Sequence, residues 1–194
     1  MGLFDIFRKK EAPTVDQSGK ILLAMPMFMN GDSYVLKDVI ENLQSFWGLT
    51  ITEIDGNDQT AIFYINGEMV ALAHMPVPIP LGDIKSTAQY AYNWQTAEKD
   101  LESHTGHTIV SVLAGTEGKG QLERFQILSK LLCAILQTSN AIGIYQGNQS
   151  LLITKEQYLE NIEELRDGGA PVILWIYFGI RKSGKTNSAY TYGL

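Results

Sequence analysis

Apolar residues along this chain come in short blocks whose spacing switches between two periods, with turn residues at nearly every change. Residues 1–19 read as a leader. Positions 8–19 are polar, carry neither period and include Pro13 and Gly19, so a single domain is expected over residues 20–194. Residues 21–28 form an apolar run with Pro26 near its end, as in a buried strand that stops there. Asn30-Gly31-Asp32-Ser33 supplies turn and N-cap chemistry. Leu36, Val39, Ile40, Leu43 and Trp47 then recur at helical spacing up to Gly48, a C-terminal cap.

Three strands are expected next, over residues 49–54, 60–65 and 68–75. Asn66-Gly67 lies between the last two, and a two-residue type I′ turn needs positive φ at both positions, so these strands should form a hairpin. Both faces of the second strand are largely apolar, which predicts an interior position in the sheet. Pro76-Val77-Pro78-Ile79-Pro80 lacks an N–H at three alternate positions and reads as an extended connector whose Val77 and Ile79 can still pack inward. Asp83 is then placed to cap one long helix with the buried stripe Ile84, Ala88, Ala91, Trp94, Ala97 and Leu101, ending near residues 104–106.

Residues 107–114 read as a strand, 115–120 as a Gly-rich loop, and 122–136 as a helix apolar round most of its circumference, hence packed on more than one side. Short strands at 141–145 and 151–153 flank a turn. Thr154 with Gln157 matches a capping box opening a helix over 155–166, closed by Gly168-Gly169. Residues 172–180 are a strongly apolar strand and 188–192 its antiparallel return. The order β-α-β-β-β-α-β-α-β-β-α-β-β predicts an α+β fold, a mixed and mainly antiparallel sheet packed with about four helices.

Composition narrows the function classes. The net charge of -6 over 194 residues repels phosphate, and the basic clusters Arg8-Lys9-Lys10 and Arg181-Lys182 with Lys185 are too small to override it, so no nucleic-acid partner is expected. The single cysteine, Cys133, sits in an apolar run, fits a reducing cytoplasm, and reads as an inert buried thiol. Residues 1–7 are apolar for too few positions to be a signal peptide, and Ile6 stands where a myristoylation motif wants Ser or Thr. No stretch approaches the ~20 apolar residues needed to span a bilayer.

Several motifs carry possible chemistry. Gly179, Gly184, Lys185 and Thr186 complete a literal G-x-x-x-x-G-K-T after an apolar strand. A nucleotide loop also needs a following helix whose N-terminus meets the phosphates, and Tyr190 and Tyr192 alternate there like a strand, so the match is expected to be a hairpin turn. His74, His104 and His107 are conceivable metal ligands, but the last two straddle Gly106 instead of sharing a helical face, and structural histidines are the expectation. Glu156, Glu160, Glu163 and Glu164 make an acidic helix face, either simply solvated or a docking surface for a basic partner. Tyr90, Tyr92, Asn93 and Trp94, with Tyr190 and Tyr192 and the segment around Pro78, combine rigid aromatics with adaptable polar groups in the manner of a protein interface.

Met25-Pro26-Met27-Phe28, Ser45-Phe46-Trp47-Gly48, the Pro76 to Pro80 run, Tyr90-Ala91-Tyr92-Asn93-Trp94, His104-Thr105-Gly106-His107 and Asn187-Ser188-Ala189-Tyr190-Thr191-Tyr192-Gly193 together carry a resemblance. From about residue 20 onward the chain resembles bacterial proteins with the domain of unknown function catalogued as family 4261. The resemblance implies no activity and no catalytic residues. It does imply that relatives run on past the Tyr-Gly stretch.

The expectation is a non-catalytic, cytoplasmic protein-binding protein without a cofactor, in particular a bacterial immunity protein that neutralises a toxin or secreted effector by covering its active site. Partner contacts are expected at Tyr90, Asn93, Pro78, Glu156, Glu160 and Glu163. Two alternatives stand beside it: an enzyme or small-molecule or metal-binding protein using the histidines or the Gly179 to Thr186 loop, and a module that self-associates through a sheet edge.

Overall fold

The computed structural model describes residues 21–113, 119–184 and 186–193. The expected leader, most of the Gly-rich loop and Lys185 lie outside the described residues.

Seven strands form one sheet in the order β2-β3-β4-β5-β1-β6-β7, in which every pairing is antiparallel. They are β1 (Leu22–Phe28), β2 (Ile51–Gly56), β3 (Thr60–Ile65), β4 (Glu68–Met75), β5 (Gly106–Val112), β6 (Ala141–Gln146) and β7 (Leu151–Thr154). The β3–β4 hairpin turns at Asn66 (φ 49°) and Gly67 (φ 87°), the backbone that Asn-Gly was expected to supply. β4 lies inside the sheet between β3 and β5. β1 does not stop at Pro26. Its register to β5 is the same before and after the proline (Ala24 opposite Val110, Met27 opposite His107), and the missing N–H is accommodated within the sheet, with Ile144 opposite Pro26 on the other side.

One sheet face carries the main core, packed by α1 (Leu36–Ser45), α4 (Gln121–Thr138), α5 (Lys155–Leu159) and α6 (Ile162–Arg166). α4 is buried on most sides, as its all-round apolar pattern predicts, and each fully buried Leu or Phe on it contributes about 1.5–3 kcal/mol relative to an exposed one. The start of α1 is capped from a distance. Asp32 and Ser33 make no such bond; Asp58 Oδ1, on the β2–β3 connection, accepts from the Leu36 N–H at 2.7 Å. The turn at Asn30 and Gly31 is present, and Gly48 at φ 64° follows the helix as expected.

The opposite face carries a smaller core in which Met27 and Leu152 meet Ile79, Ile84, Trp94, Ala97 and Leu101. The single long helix expected here is two short ones, α2 (Leu81–Ala88) and α3 (Ala97–Leu101), joined by a run of tight turns. Asp100 explains the break: its Oδ2 accepts from the Trp94 indole at 2.8 Å and the Thr96 hydroxyl at 2.6 Å, holding the turn that a continuous helix would unwind. The expected stripe is still the inward face, with Trp94 resting so closely on Gly143 that a Cβ there would lie 2.7 Å from its ring. The helix expected over 155–166 likewise divides into α5 and α6. Only one half of its capping box forms, Thr154 Oγ1 accepting from the Gln157 N–H.

The C-terminal apolar segment begins differently from its pattern. Val172–Leu174 forms a 3-10 turn, held inward by Gln146 Nε2 donating to the Leu174 carbonyl and by the buried Trp175 indole donating to Ser129 Oγ at 2.7 Å. The strand starts only afterwards, as β8 (Ile176–Ser183), and pairs with β9 (Thr186–Gly193) in a separate two-stranded ribbon.

Candidate functional site

Two of the three histidines meet the proline-rich strap at residues 76–80. Three of its five positions are prolines, so Val77 and Ile79 carry its only backbone N–H groups. Ile79 N–H donates to His104 Nε2 at 2.8 Å, while His104 Nδ1–H donates to the Leu101 carbonyl at the end of α3. Both ring nitrogens of His104 are therefore engaged. His107 Nδ1–H donates to the Val77 carbonyl at 2.9 Å. His74 shares a 3.3 Å hydrogen bond with Thr108 Oγ1 and stands edge-on to Phe28 in the main core. Burial first, then the neighbouring His107, lowers the His74 pKa; burial likewise dominates the lowering at His107. Among the described residues no group of three or more His, Cys, Asp or Glu side chains is arranged to hold a metal ion. Cys133 is enclosed, and burial pushes its thiol up to about 12, far from the range of a reactive thiolate.

The G-x-x-x-x-G-K-T residues fall on the ribbon. Gly179 belongs to β8, Gly184 (φ 59°) follows it, and Thr186 opens β9 opposite Ser183. A strand thus occupies the place where a phosphate-binding loop would have its helix. Gly179 has a packing role: the Tyr190 ring lies across it, and a Cβ would approach that ring to 2.2 Å.

That tyrosine is part of the aromatic surface the sequence points to. Tyr90, in the turn after α2, meets Tyr177 edge-on with ring centroids 5.7 Å apart, and Tyr177 lies 6.0 Å from Tyr190. Burial, then Tyr190, raises the Tyr177 phenol pKa. Tyr90 and Tyr177 border a groove of about 540 Å³ between the α2–α3 turn and the ribbon, completed by Tyr92, Phe178 and Ile180. Its described lining contains no charged side chain. Phe178 and Tyr190 are about half exposed and Ile180 is 82% exposed, an unusual amount of apolar surface for one short ribbon. An adjoining narrow cleft brings Tyr90, Tyr92 and Asn93 together with Tyr177 and with Gln157 of α5.

The expected contact residues are thus partly assembled. Tyr90 and Asn93 border these clefts, whereas Glu156 on α5, Glu160 just after it and Glu163 on α6 are exposed and line neither. Pro78 is exposed on the strap and lines neither cleft. Sequence reasoning read the segment of Tyr177, Phe178 and Ile180 as a strongly apolar strand and did not count these residues among the contacts. The signal was available in the register: a two-residue turn after Ser183 sets Tyr177 opposite Tyr192 and Gly179 opposite Tyr190. No family model matches the chain, and neither a curated protein nor a solved structure does. No helix among the described residues is long and apolar enough to cross a membrane.

Proposed function

We propose that this protein binds another protein through the groove between the α2–α3 turn and the β8–β9 ribbon, and that it acts as a cytoplasmic bacterial immunity protein covering the active site of a toxin or effector. The observation that carries the reading is the tyrosine cluster of Tyr90, Tyr177 and Tyr190 beside the exposed Phe178 and Ile180. Aromatic anchors in a concave, uncharged centre with a polar rim are the anatomy of a protein interface. Charge selects the partner: the exposed Glu156 is next in sequence to the cleft-lining Gln157 and the whole chain carries a net charge of -6, so a basic partner is attracted and an acidic one repelled. Membership of the bacterial domain-of-unknown-function family 4261 is part of the same proposal, supported by the resembling segments and implying no catalytic step.

The test is co-expression with the toxin or effector encoded beside this gene. Growth should be rescued by the wild type and lost with Tyr90→Ala or Tyr190→Ala, both truncations of exposed side chains. Affinity should fall by about 10-fold or more for a residue at the centre of the interface. Absence of rescue by the wild type, or full rescue by both variants, would remove the proposal.

A further inference from the structure

A second cavity, of about 410 Å³, lies beside the strap and away from the tyrosine groove. Leu23 and Met25 of β1 and Ile79 and Pro80 of the strap make its apolar part, while Asp83 at the start of α2, His107 of β5 and Tyr145 of β6 line it with polar groups. That combination, an apolar body with a few convergent polar groups in a volume of roughly 300–1,000 Å³, is what small-molecule sites have in common.

His107 decides what the cavity can bind. Its side chain is only 8% exposed, and its Nδ1–H is committed to the Val77 carbonyl. Nε2 is left as a lone-pair acceptor with no hydrogen-bond partner among the described residues, in a ring that lines the cavity. Asp83, the one formally charged side chain in the lining, is also an acceptor, and the Tyr145 hydroxyl can accept as well. Asn148, also in the lining, and the Tyr145 hydroxyl can each donate or accept, so His107 Nε2 and Asp83 set the preference, for a ligand with a donor and, opposite Asp83, with positive charge. The lining offers an anion no cationic side chain.

We infer that this cavity is a binding site for a small organic ammonium compound, its N–H donors directed to Asp83 and His107 Nε2 and its apolar body lying on Leu23, Met25 and Ile79. The ring nitrogen is set up for this by the strap itself, since the bond to Val77 fixes which nitrogen holds the proton. The site is independent of the tyrosine groove, and either can exist without the other.

The probe is phenethylammonium chloride, titrated into the isotopically labelled full chain and followed by amide and imidazole nitrogen shifts. Saturable shifts are expected at Met25, Ile79, His107 and Tyr145 with a dissociation constant of about 1 mM, as befits a fragment of this size. The neutral 2-phenylethanol and the anionic phenylacetate, which share the apolar body, should bind at least ~10-fold more weakly, and Asp83→Asn should weaken the ammonium by a similar factor. Asp83 is exposed, so its variant should fold. Tyr145→Phe, which removes one acceptor and keeps the ring, provides a second reading of the same site. No saturable shift by about 20 mM, shifts centred elsewhere, equal binding of the alcohol or the carboxylate, or an unaltered constant in both variants would each overturn the inference.

Discussion

Replacing His104 by leucine tests whether the strap is held by its one histidine-bound amide. Ile79 and His104 are each only 4% exposed, so water cannot reach the Ile79 N–H once Nε2 is gone. A buried donor left without an acceptor costs about 1–3 kcal/mol, and the Leu101 carbonyl loses its ring donor, worth about 0.5–1.5 kcal/mol, while keeping the longer bond from the His104 N–H, so the total expected is about 2–4 kcal/mol. For a domain of this size each kcal/mol lowers Tm by about 2–4 °C, so the melting point should drop by roughly 4–16 °C. Urea denaturation gives the free energy, and exchange of the Ile79 amide gives the local effect: slow in the wild type, fast in the variant. Ile79→Pro removes the donor instead of the acceptor, and because it also alters a buried side chain, the pair is analysed as a double-mutant cycle with an expected coupling of about 1–2 kcal/mol. A His104→Leu cost below about 0.5 kcal/mol, or no coupling, would refute the view that this bond fixes the strap.

Asp58→Ala removes the acceptor at the start of α1 and should cost about 0.5–2 kcal/mol in urea unfolding; an unchanged midpoint would mean that solvent caps the helix equally well. Gly67→Val places a β-branched side chain at φ 87° and should cost about 1–3 kcal/mol, while a neutral result would show that the turn relaxes to another type. Ser129→Ala leaves the Trp175 indole N–H buried without its acceptor, for a loss of about 1–3 kcal/mol read from the same transition. His74 and His107 have folded pKa values below their unfolded ones, so their contribution is complete above the unfolded value near 6.5 and is lost as pH falls from there toward the folded values. The urea midpoint should therefore decline between about pH 7.5 and 5.5, and a rise over that interval would contradict the sign.

Much of the architecture is legible because it rests on local chemistry. Asn66-Gly67 specifies its turn through φ alone, and the all-round apolar surface of α4 admits only a position enclosed by other elements. The divided helix at residues 81–101 shows where such reading stops. Ile84, Trp94, Ala97 and Leu101 are buried as their spacing of threes and fours requires, but consecutive tight turns satisfy that spacing as well as a helix does. What separates the two is Asp100, which draws the Trp94 and Thr96 side chains into the turn, and a hydrogen bond of this kind leaves no period in the sequence. The α1 cap escaped for a related reason: Asp58 lies 22 positions from Leu36 and meets it only after the sheet has formed.

The tyrosine surface shows the same boundary between local and distant information. Tyr90 and Tyr190 stand out individually as aromatics without a place in the core pattern, yet nothing local says that they lie on one surface. Tyr177 makes the connection, touching both, and it was hidden in a segment that reads only as a strongly apolar strand. Composition misleads there because an apolar strand can be apolar for either of two reasons: burial in its own fold, or burial against something else. Trp175 is of the first kind, enclosed and bonded to Ser129, whereas Ile180, five residues later, projects into solvent. The change from enclosed to exposed within one continuous apolar run locates the root of the ribbon, and the exposed side of that point is where the proposed partner would make its contacts.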